Sequence, residues 1–109
     1  MEFEITVEFD NFLDSLLPKE KAKLMALIER IEQYGFEVSQ KMKWTKKLED
    51  NLYEIRSEFG GNHSRGIYFH YQNGVFIITN GFRKKTNKTP QREISKAKKM
   101  REHILEEKQ

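Results

Sequence analysis

The residues of this chain whose types and spacing could do chemistry are cations rather than nucleophiles or metal ligands. Arg56 ends the segment LYEIR, Arg65 opens the segment RGIYFHY, and the segment VFIITNGF is followed by Arg83, Lys84 and Lys85. Fixed guanidinium and ammonium groups stabilise the negative charge that grows on phosphate oxygens in a transition state. Crowded cations also lower the pKa of a lysine, which can then exchange a proton nearer to neutral pH. The pattern indicates metal-free phosphodiester chemistry, in which a ribose 2′-hydroxyl attacks the adjacent phosphate.

Positive charge is concentrated in the second half of the chain. The 109 residues carry a formal net charge of only +3. Residues 1–37 nevertheless carry a formal −5, whereas residues 41–101 hold fifteen basic and five acidic residues, a formal +10. Such asymmetry is typical of a surface that meets a polyanion, although a solvated exterior is the alternative. Outside the cluster above, the candidate RNA-binding residues are Lys43, Lys46, Lys47 and Lys88.

Composition excludes several other classes of site. The chain has no cysteine, which rules out disulfides, thiolate metal sites and a cysteine nucleophile, and which fits a cytoplasmic location. His63, His70 and His103 are scattered and lack the spacing of metal ligands, so we predict no metal site. No apolar stretch approaches the roughly 20 residues that span a bilayer, so we expect no membrane partner. The sequence also lacks a P-loop and a GxSxG motif.

Local patterns predict a single α+β domain over residues 1–109, with the order β-α-α-β-β-β-α. Strict alternation in FEITVEF predicts a strand over residues 3–9. Apolar residues at helical spacing then predict two helices, or one bent helix, over roughly residues 10–34. Near the other end, Thr89 is the expected N-cap of a terminal helix and Pro90 its first residue.

The sheet that must position the cations is predicted as an antiparallel meander of strands 52–59, 64–71 and 75–82. Asn73-Gly74 is the expected two-residue turn, because both positions must reach positive φ. This turn places four pairs opposite each other: Gln72 and Val75, Phe69 and Ile78, Ile67 and Asn80, and Arg65 and Phe82. The end of the first strand, the start of the second and the end of the third are then neighbours. We therefore expect the separate cations to converge at one edge of the sheet.

Arg65 poses a problem within this register. Simple alternation puts it on the same face as Ile67 and Phe69, which is a core face. We expect either that Arg65 lies beyond the edge of the core or that a bulge near Gly66 redirects it. Gly66 and a shortage of neighbouring acids should leave the surroundings of Arg65 open.

The segments LYEIR, RGIYFHY and ITNGFRKKTNKTPQREISKAKKM together resemble the HigB-like branch of the RelE/ParE toxin superfamily, over roughly residues 50–101. The resemblance implies a RelE-like fold and the toxin of a type II toxin–antitoxin pair. It further implies an mRNA interferase, a ribosome-dependent endoribonuclease that inhibits translation without a metal or other cofactor. The implied partners are the ribosome, mRNA and a HigA-like helix-turn-helix antitoxin, with operator DNA contacted only through the antitoxin.

The same resemblance implies roles for individual cations. Arg65 matches the strand arginine that contacts the scissile phosphate, and Arg56 matches the arginine that ends the LYEIR strand. The basic segment after the last strand is matched by Arg83, Lys84 and Lys85.

The general base and the target are left open by the sequence. The C-terminal tyrosine that aids acid–base chemistry in RelE has no counterpart after Lys85, so the candidates are Lys84, Lys85 and His70. Some members of the superfamily poison DNA gyrase, which makes a gyrase poison the first alternative. The second is a non-catalytic RNA- or protein-binding module that uses the basic surface only for docking.

Overall fold

The computed structural model describes residues 1–86 and 88–107. It shows a five-stranded sheet with helices on both faces. The strands are β1 (Glu2–Ile5), β2 (Thr45–Glu49), β3 (Leu52–Phe59), β4 (Asn62–Gln72) and β5 (Val75–Lys84). The helices are α1 (Val7–Ser15), α2 (Pro18–Tyr34), α3 (Phe36–Lys41) and α4 (Gln91–Glu107). Over the described ranges, no helix has both the length and the apolar character that crossing a membrane requires.

The strand order is β1-β5-β4-β3-β2. Strands β2 to β5 pair antiparallel, which confirms the predicted meander, but β1 pairs parallel to β5, so the sheet is mixed. One core cluster lies between the sheet and helices α1 and α2, and the other lies between the sheet and α4. The α+β class with a RelE-like arrangement is therefore confirmed.

The predicted first strand over residues 3–9 is wrong in its second half. The strand ends at Ile5, and the Thr6 hydroxyl caps α1 by accepting a hydrogen bond from the Phe9 amide at 3.1 Å. Phe9 is fully buried, whereas Val7, which alternation placed on the same face, is 78% exposed. The apolar helical stripe of Phe9 and Leu13, together with the Thr6 cap, outweighs a short alternating pattern.

Two elements between α2 and β3 were missed from the sequence. Helix α3 follows Gly35, whose φ of 90° turns the chain after α2. Strand β2 lies at the edge of the sheet, where Lys46 and Lys47 are exposed. Lysines are typical of exposed edge strands because they oppose pairing with another chain, and they also obscure the apolar alternation of a strand.

The hairpin register is confirmed at three of the four predicted pairs. Phe69 lies opposite Ile77 and not opposite Ile78, because β4 and β5 each contain a register shift. Tyr71 is the extra residue of β4 and Thr79 that of β5, so the two shifts cancel before Arg65. The pairing of Arg65 with Phe82 therefore stands as predicted.

Two glycines paired across β4 and β5 allow α1 to approach the sheet. Gly66 lies opposite Gly81, and a Cβ atom on Gly81 would lie 2.2 Å from a ring carbon of Phe12. A Cβ atom on Gly66 would lie 3.0 Å from a ring carbon of Phe9. The expectation that Gly66 leaves open space beside Arg65 is wrong, because aromatic rings of α1 fill that space.

Candidate active site

The cationic ends of three neighbouring strands, β3, β4 and β5, meet at one end of the sheet. Antiparallel pairing places Arg56 directly opposite Arg65 and His63 directly opposite Lys84. A cavity of about 210 Å³ lies among these groups, and its lining consists of Arg56, Glu58, His63, Arg65, Lys84, Lys85 and Thr86. We call it the basic cavity. The structure thus brings together four of the five cations to which the sequence assigned a catalytic role, and that role stays a prediction.

A buried carboxylate, Glu54, anchors the basic cavity. Its side chain is fully inaccessible, and Oε1 lies 3.5 Å from Arg65 Nε and 3.7 Å from Lys84 Nζ. Its Oε2 accepts a hydrogen bond from the Thr89 hydroxyl. One carboxylate thus faces two buried cations, which leaves an excess of positive charge where the cavity opens. Arg65 therefore has one acid directly beside it, Glu54.

Arg65 belongs to the floor of the basic cavity. It is 2% exposed, and its Nη1 donates to the carbonyls of Ser57 and Ser64 at 3.0 and 3.1 Å. Its cross-strand partner Phe82 belongs to the core cluster that contains Ile67 and Phe69, so Arg65 lies directly beside that core. Burial lowers the pKa of Arg65, and the charge of Glu54 acts in the opposite direction.

Lys84 is the buried lysine of the basic cavity, with 8% of its surface exposed. Burial lowers the pKa of its ammonium group below the usual 10.5, and the charges of Arg65, Arg56 and Lys46 lower it further. Glu54 acts against this shift. A lysine in such surroundings gives up its proton more readily than one in water, which suits proton transfer as well as charge stabilisation.

Arg56 and Lys85 are the accessible cations of the basic cavity. Arg56 is half-buried and Lys85 is exposed. Arg56 also lines two neighbouring grooves. Within residues 1–86 and 88–107, no carboxylate forms an ion pair with either side chain. Both are therefore available to an anionic ligand.

Arg83 does not line the basic cavity. It lies opposite Ser64, and its Nη2 is 3.1 Å from Oε1 of Glu20 on α2. Successive residues of a strand point to opposite faces, so Arg83 and its neighbour Lys84 diverge. Arg83 lines an adjoining groove at the β3–β4 turn, which shares His63, Lys84 and Lys85 with the basic cavity. Its ion pair with Glu20 gives it a structural role that the sequence did not reveal.

His70 also lies outside the basic cavity. It pairs with Phe76 near the β4–β5 turn, and its ring lies 4.9 Å from the Phe76 ring. His63 and His70 are separated by roughly 20 Å along β4 at ~3.3 Å per residue. The geometry therefore removes His70 from the groups that could exchange a proton at the cavity.

His63 is the residue at the cavity that sequence reasoning missed. Its Nδ1 lies 3.2 Å from Glu58 Oε1, and the two residues are cross-strand partners in β3 and β4. This carboxylate can fix the orientation of the ring and leave Nε2 for a substrate. The register that pairs Arg65 with Phe82 puts His63 opposite Lys84 two residues further along, so the signal was present in the sequence.

The predicted RNA-binding lysines fall into two places. Lys43, Lys46 and Lys47 line a groove of about 370 Å³ that also contains Arg56. Lys47 is in part neutralised by Asp50, with Nζ 3.6 Å from Oδ1. Lys88 is exposed in the segment between β5 and α4.

Thr89 ties this segment to the sheet and does not cap the terminal helix as predicted. At the start of α4, the Pro90 carbonyl accepts hydrogen bonds from the backbone amides of Glu93, at 3.0 Å, and Ile94, at 3.3 Å. Helix α4 therefore begins one residue later than expected, and the Thr89 hydroxyl bonds to Glu54. The contact fixes the chain that carries Lys85 and Thr86 against the cavity.

In the part of the chain that the structure describes, no group of three or more His, Cys, Asp or Glu side chains is arranged to hold a metal ion.

A helix pair, a mixed sheet and a terminal helix, with cations gathered at the sheet edge, define a protein of the RelE-like class. Residues 11–102 match the sequence model of the family described as phage-derived protein Gp49-like (DUF891), so the chain belongs to that family. The family is of the RelE/toxin–antitoxin type and is associated with the toxins of such pairs, which suggests an antitoxin partner. No curated protein matches the chain.

Proposed function

We propose that this protein is the toxin of a type II toxin–antitoxin pair, of the HigB-like branch, and that it cleaves mRNA on the translating ribosome. The observation that carries the proposal is the gathering of Arg56, Arg65, Lys84 and Lys85 around one cavity. Four cations share that cavity with one accessible carboxylate, Glu58, which is engaged by His63. A phosphodiester supplies the negative charge that such a site lacks.

Cleavage begins when the ribose 2′-oxygen attacks the adjacent phosphorus. The P–O5′ bond breaks, and the products are a 2′,3′-cyclic phosphate and a free 5′-hydroxyl. Negative charge grows on the non-bridging oxygens, where Arg56 and Lys85 can donate hydrogen bonds from the accessible side of the cavity. Arg65 contributes its charge from the floor.

Two groups at the cavity are suited to proton transfer. Lys84 has a lowered pKa, and His63 is held by Glu58 with one ring nitrogen free. We assign removal of the 2′-hydroxyl proton to one of them and protonation of the leaving 5′-oxygen to the other. The proton taken up in the first step balances the one donated in the second.

The proposed partners follow from this role. A HigA-like helix-turn-helix antitoxin would inhibit the toxin and would contact operator DNA on behalf of the complex. The ribosome and its mRNA would approach the edge of the sheet on which the basic cavity and the lysines of β2 lie.

A cell-free translation reaction tests the proposal. The wild-type protein should cut mRNA only while ribosomes translate it, and the Lys84→Ala/Lys85→Ala variant should leave the mRNA intact. A Lys19→Ala/Lys99→Ala variant removes two exposed lysines elsewhere and should cleave as the wild type does. Intact mRNA with the wild-type protein would refute the nuclease. Stalled DNA supercoiling would then identify a gyrase poison, and RNA binding without cleavage would identify a docking module.

A further inference from the structure

A second basic groove lies between α2 and the β2–β3 edge of the sheet. It has a volume of about 400 Å³, and its charged lining comes from Lys23 and Arg30 of α2, Lys43 before β2, and Arg56 and Glu58 of β3. Lys23 and Arg30 occupy helix positions seven residues apart, which is two turns on the same face.

The cations of this groove have no counterion in the part of the chain that the structure describes. Among residues 1–86 and 88–107, Lys23, Arg30, Lys43 and Arg56 are in no ion pair. Glu58, the carboxylate of the lining, is turned to His63 at 3.2 Å. The neighbouring Lys21 of α2, in contrast, lies 2.9 Å from Asp14. The groove therefore presents an uncompensated positive field to solvent.

Aromatic rings hold two of these cations in place. The Arg30 guanidinium lies 5.6 Å from the centre of the Trp44 ring, and Lys23 Nζ lies 6.0 Å from that of Phe59. Trp44 also meets Tyr34 edge-on at 5.7 Å. A cation held over a ring loses little freedom when it binds an anion. Because Arg30 covers Trp44, the ring orients a cation and offers no free platform for a base.

The groove adjoins the basic cavity, because Arg56 and Glu58 line both of them. Arg56 is half-buried where the two meet, so an extended ligand can contact both. A single strand of RNA whose scissile linkage lies in the basic cavity would place its next phosphates along the groove.

We propose that the groove between α2 and β2–β3 is a phosphate-binding subsite for single-stranded RNA, with Lys23 and Arg30 as its outer contacts. The inference rests on the proposed function and adds the path of the strand on one side of the cleaved linkage. Recognition is through the backbone, since cations line the groove and Trp44 is covered. The subsite should therefore bind RNA of any sequence.

The test measures binding of fully 2′-O-methylated hexanucleotides by fluorescence anisotropy over a range of salt concentrations. Such probes lack the free 2′-hydroxyl needed for cleavage, so the readout does not depend on catalysis. The Lys23→Gln/Arg30→Gln variant should bind several-fold more weakly at low salt. Its slope of log affinity against log salt should be shallower by about 1.4, since each phosphate contact on a single strand contributes ~0.7. Uridine and adenosine probes should give the same loss.

Matched variants separate charge from shape. Lys19→Gln/Lys99→Gln removes two exposed lysines outside the groove and should keep the wild-type slope. Lys23→Arg/Arg30→Lys keeps both charges and should also keep it. An unchanged slope in Lys23→Gln/Arg30→Gln, or no binding of the probes by the wild type at low salt, would overturn the subsite.

The failure of this inference and that of the nuclease can be told apart. A protein that cleaves mRNA on ribosomes but has an unaltered salt slope in Lys23→Gln/Arg30→Gln would keep the function and lose the subsite. A shallower salt slope in Lys23→Gln/Arg30→Gln, together with no cleavage by the wild type, would keep the subsite and lose the nuclease function. Poly-L-glutamate serves as the protein-like competitor: if the variant loses affinity for it and not for RNA, the groove binds an acidic protein and the RNA subsite is wrong.

Discussion

Arg56 and Arg65 are direct cross-strand partners on β3 and β4, yet one is half-buried at the mouth of the cavity and the other forms its floor. Like charges in opposite positions destabilise a sheet. Glu54, two residues before Arg56 on the same face, supplies the counter-charge and is itself fully buried. The fold thus holds surplus positive charge in a fixed arrangement before any ligand arrives, which is the condition for strong electrostatic stabilisation of a transition state.

Arg56 and Arg83 should differ sharply in their effect on cleavage. Arg56→Gln removes an accessible guanidinium from the basic cavity, and we expect the cleavage rate on translating ribosomes to fall roughly 100-fold. Arg83→Gln breaks an ion pair with Glu20 outside the cavity, and the rate should change by only a few fold. Primer extension on ribosome-bound mRNA gives both rates. Equal losses would mean that Arg83 reaches the substrate in a way that its position in β5 does not indicate.

The two histidines of β4 provide a second matched pair. His63→Gln removes a proton-transfer group from the cavity and should slow cleavage by roughly 100-fold or more. His70→Gln, at the hairpin end of the same strand, should keep the wild-type rate. Primer extension on ribosome-bound mRNA measures both rates. A wild-type rate in His63→Gln would assign the proton transfers to lysines alone.

Glu54→Gln tests the buried carboxylate. The substitution keeps the shape of the side chain but leaves Arg65 and Lys84 without a counter-charge. We expect the free energy of unfolding to fall by about 3 kcal/mol. Glu49→Gln removes a partly exposed partner of Lys98 and should lower it by less than about 1 kcal/mol. Urea denaturation measures both, and similar losses would show that Glu54 is no more important than a surface acid.

Lys84 should give the protein a distinct response to alkaline pH. Its pKa in the folded state lies below the usual 10.5, so the unfolded chain binds more protons than the folded protein between the two values. The contribution of Lys84 to the free energy of unfolding therefore rises with pH across this window. In Glu54→Gln, which lacks the charge that raises the pKa of Lys84, the pKa should fall further.

Nuclear magnetic resonance titration of the Lys84 side chain measures that pKa directly, in the wild type and in Glu54→Gln. Denaturation at several pH values measures how the free energy of unfolding changes with pH. The contribution of Lys84 to this change should be absent from Lys84→Met. A pKa at or above 10.5 would contradict the burial and the crowding of cations described here.

The meander and its register were predictable because their signals are local. Asn73-Gly74 fixes the turn, Asn73 and Gly74 both adopt positive φ, and the Arg65–Phe82 pairing follows from counting. The predicted pairing is correct at Arg65 only because the two register shifts between the turn and Arg65 cancel. The gathering of the strand-end cations could be predicted for the same reason.

The remaining features depend on contacts that a linear pattern does not contain. The N-terminal segment alternates like a strand as far as Phe9, but the hydroxyl of Thr6 caps a helix there. In the sequence, Glu54 is indistinguishable from an ordinary strand residue. In the fold, it contacts three partners, from β4, β5 and the segment before α4. Arg83 looks equivalent to Lys84 until α2 brings Glu20 to it.

The parallel pairing of β1 with β5 also has a consequence for how the protein is made. Glu2 leaves the ribosome long before its partner Val75, and Thr89 follows later still. A nascent chain therefore has neither a complete sheet nor a closed cavity until Thr89 has emerged from the exit tunnel. If the protein cuts mRNA as proposed, the ribosome that produces it is shielded from its own product until that point.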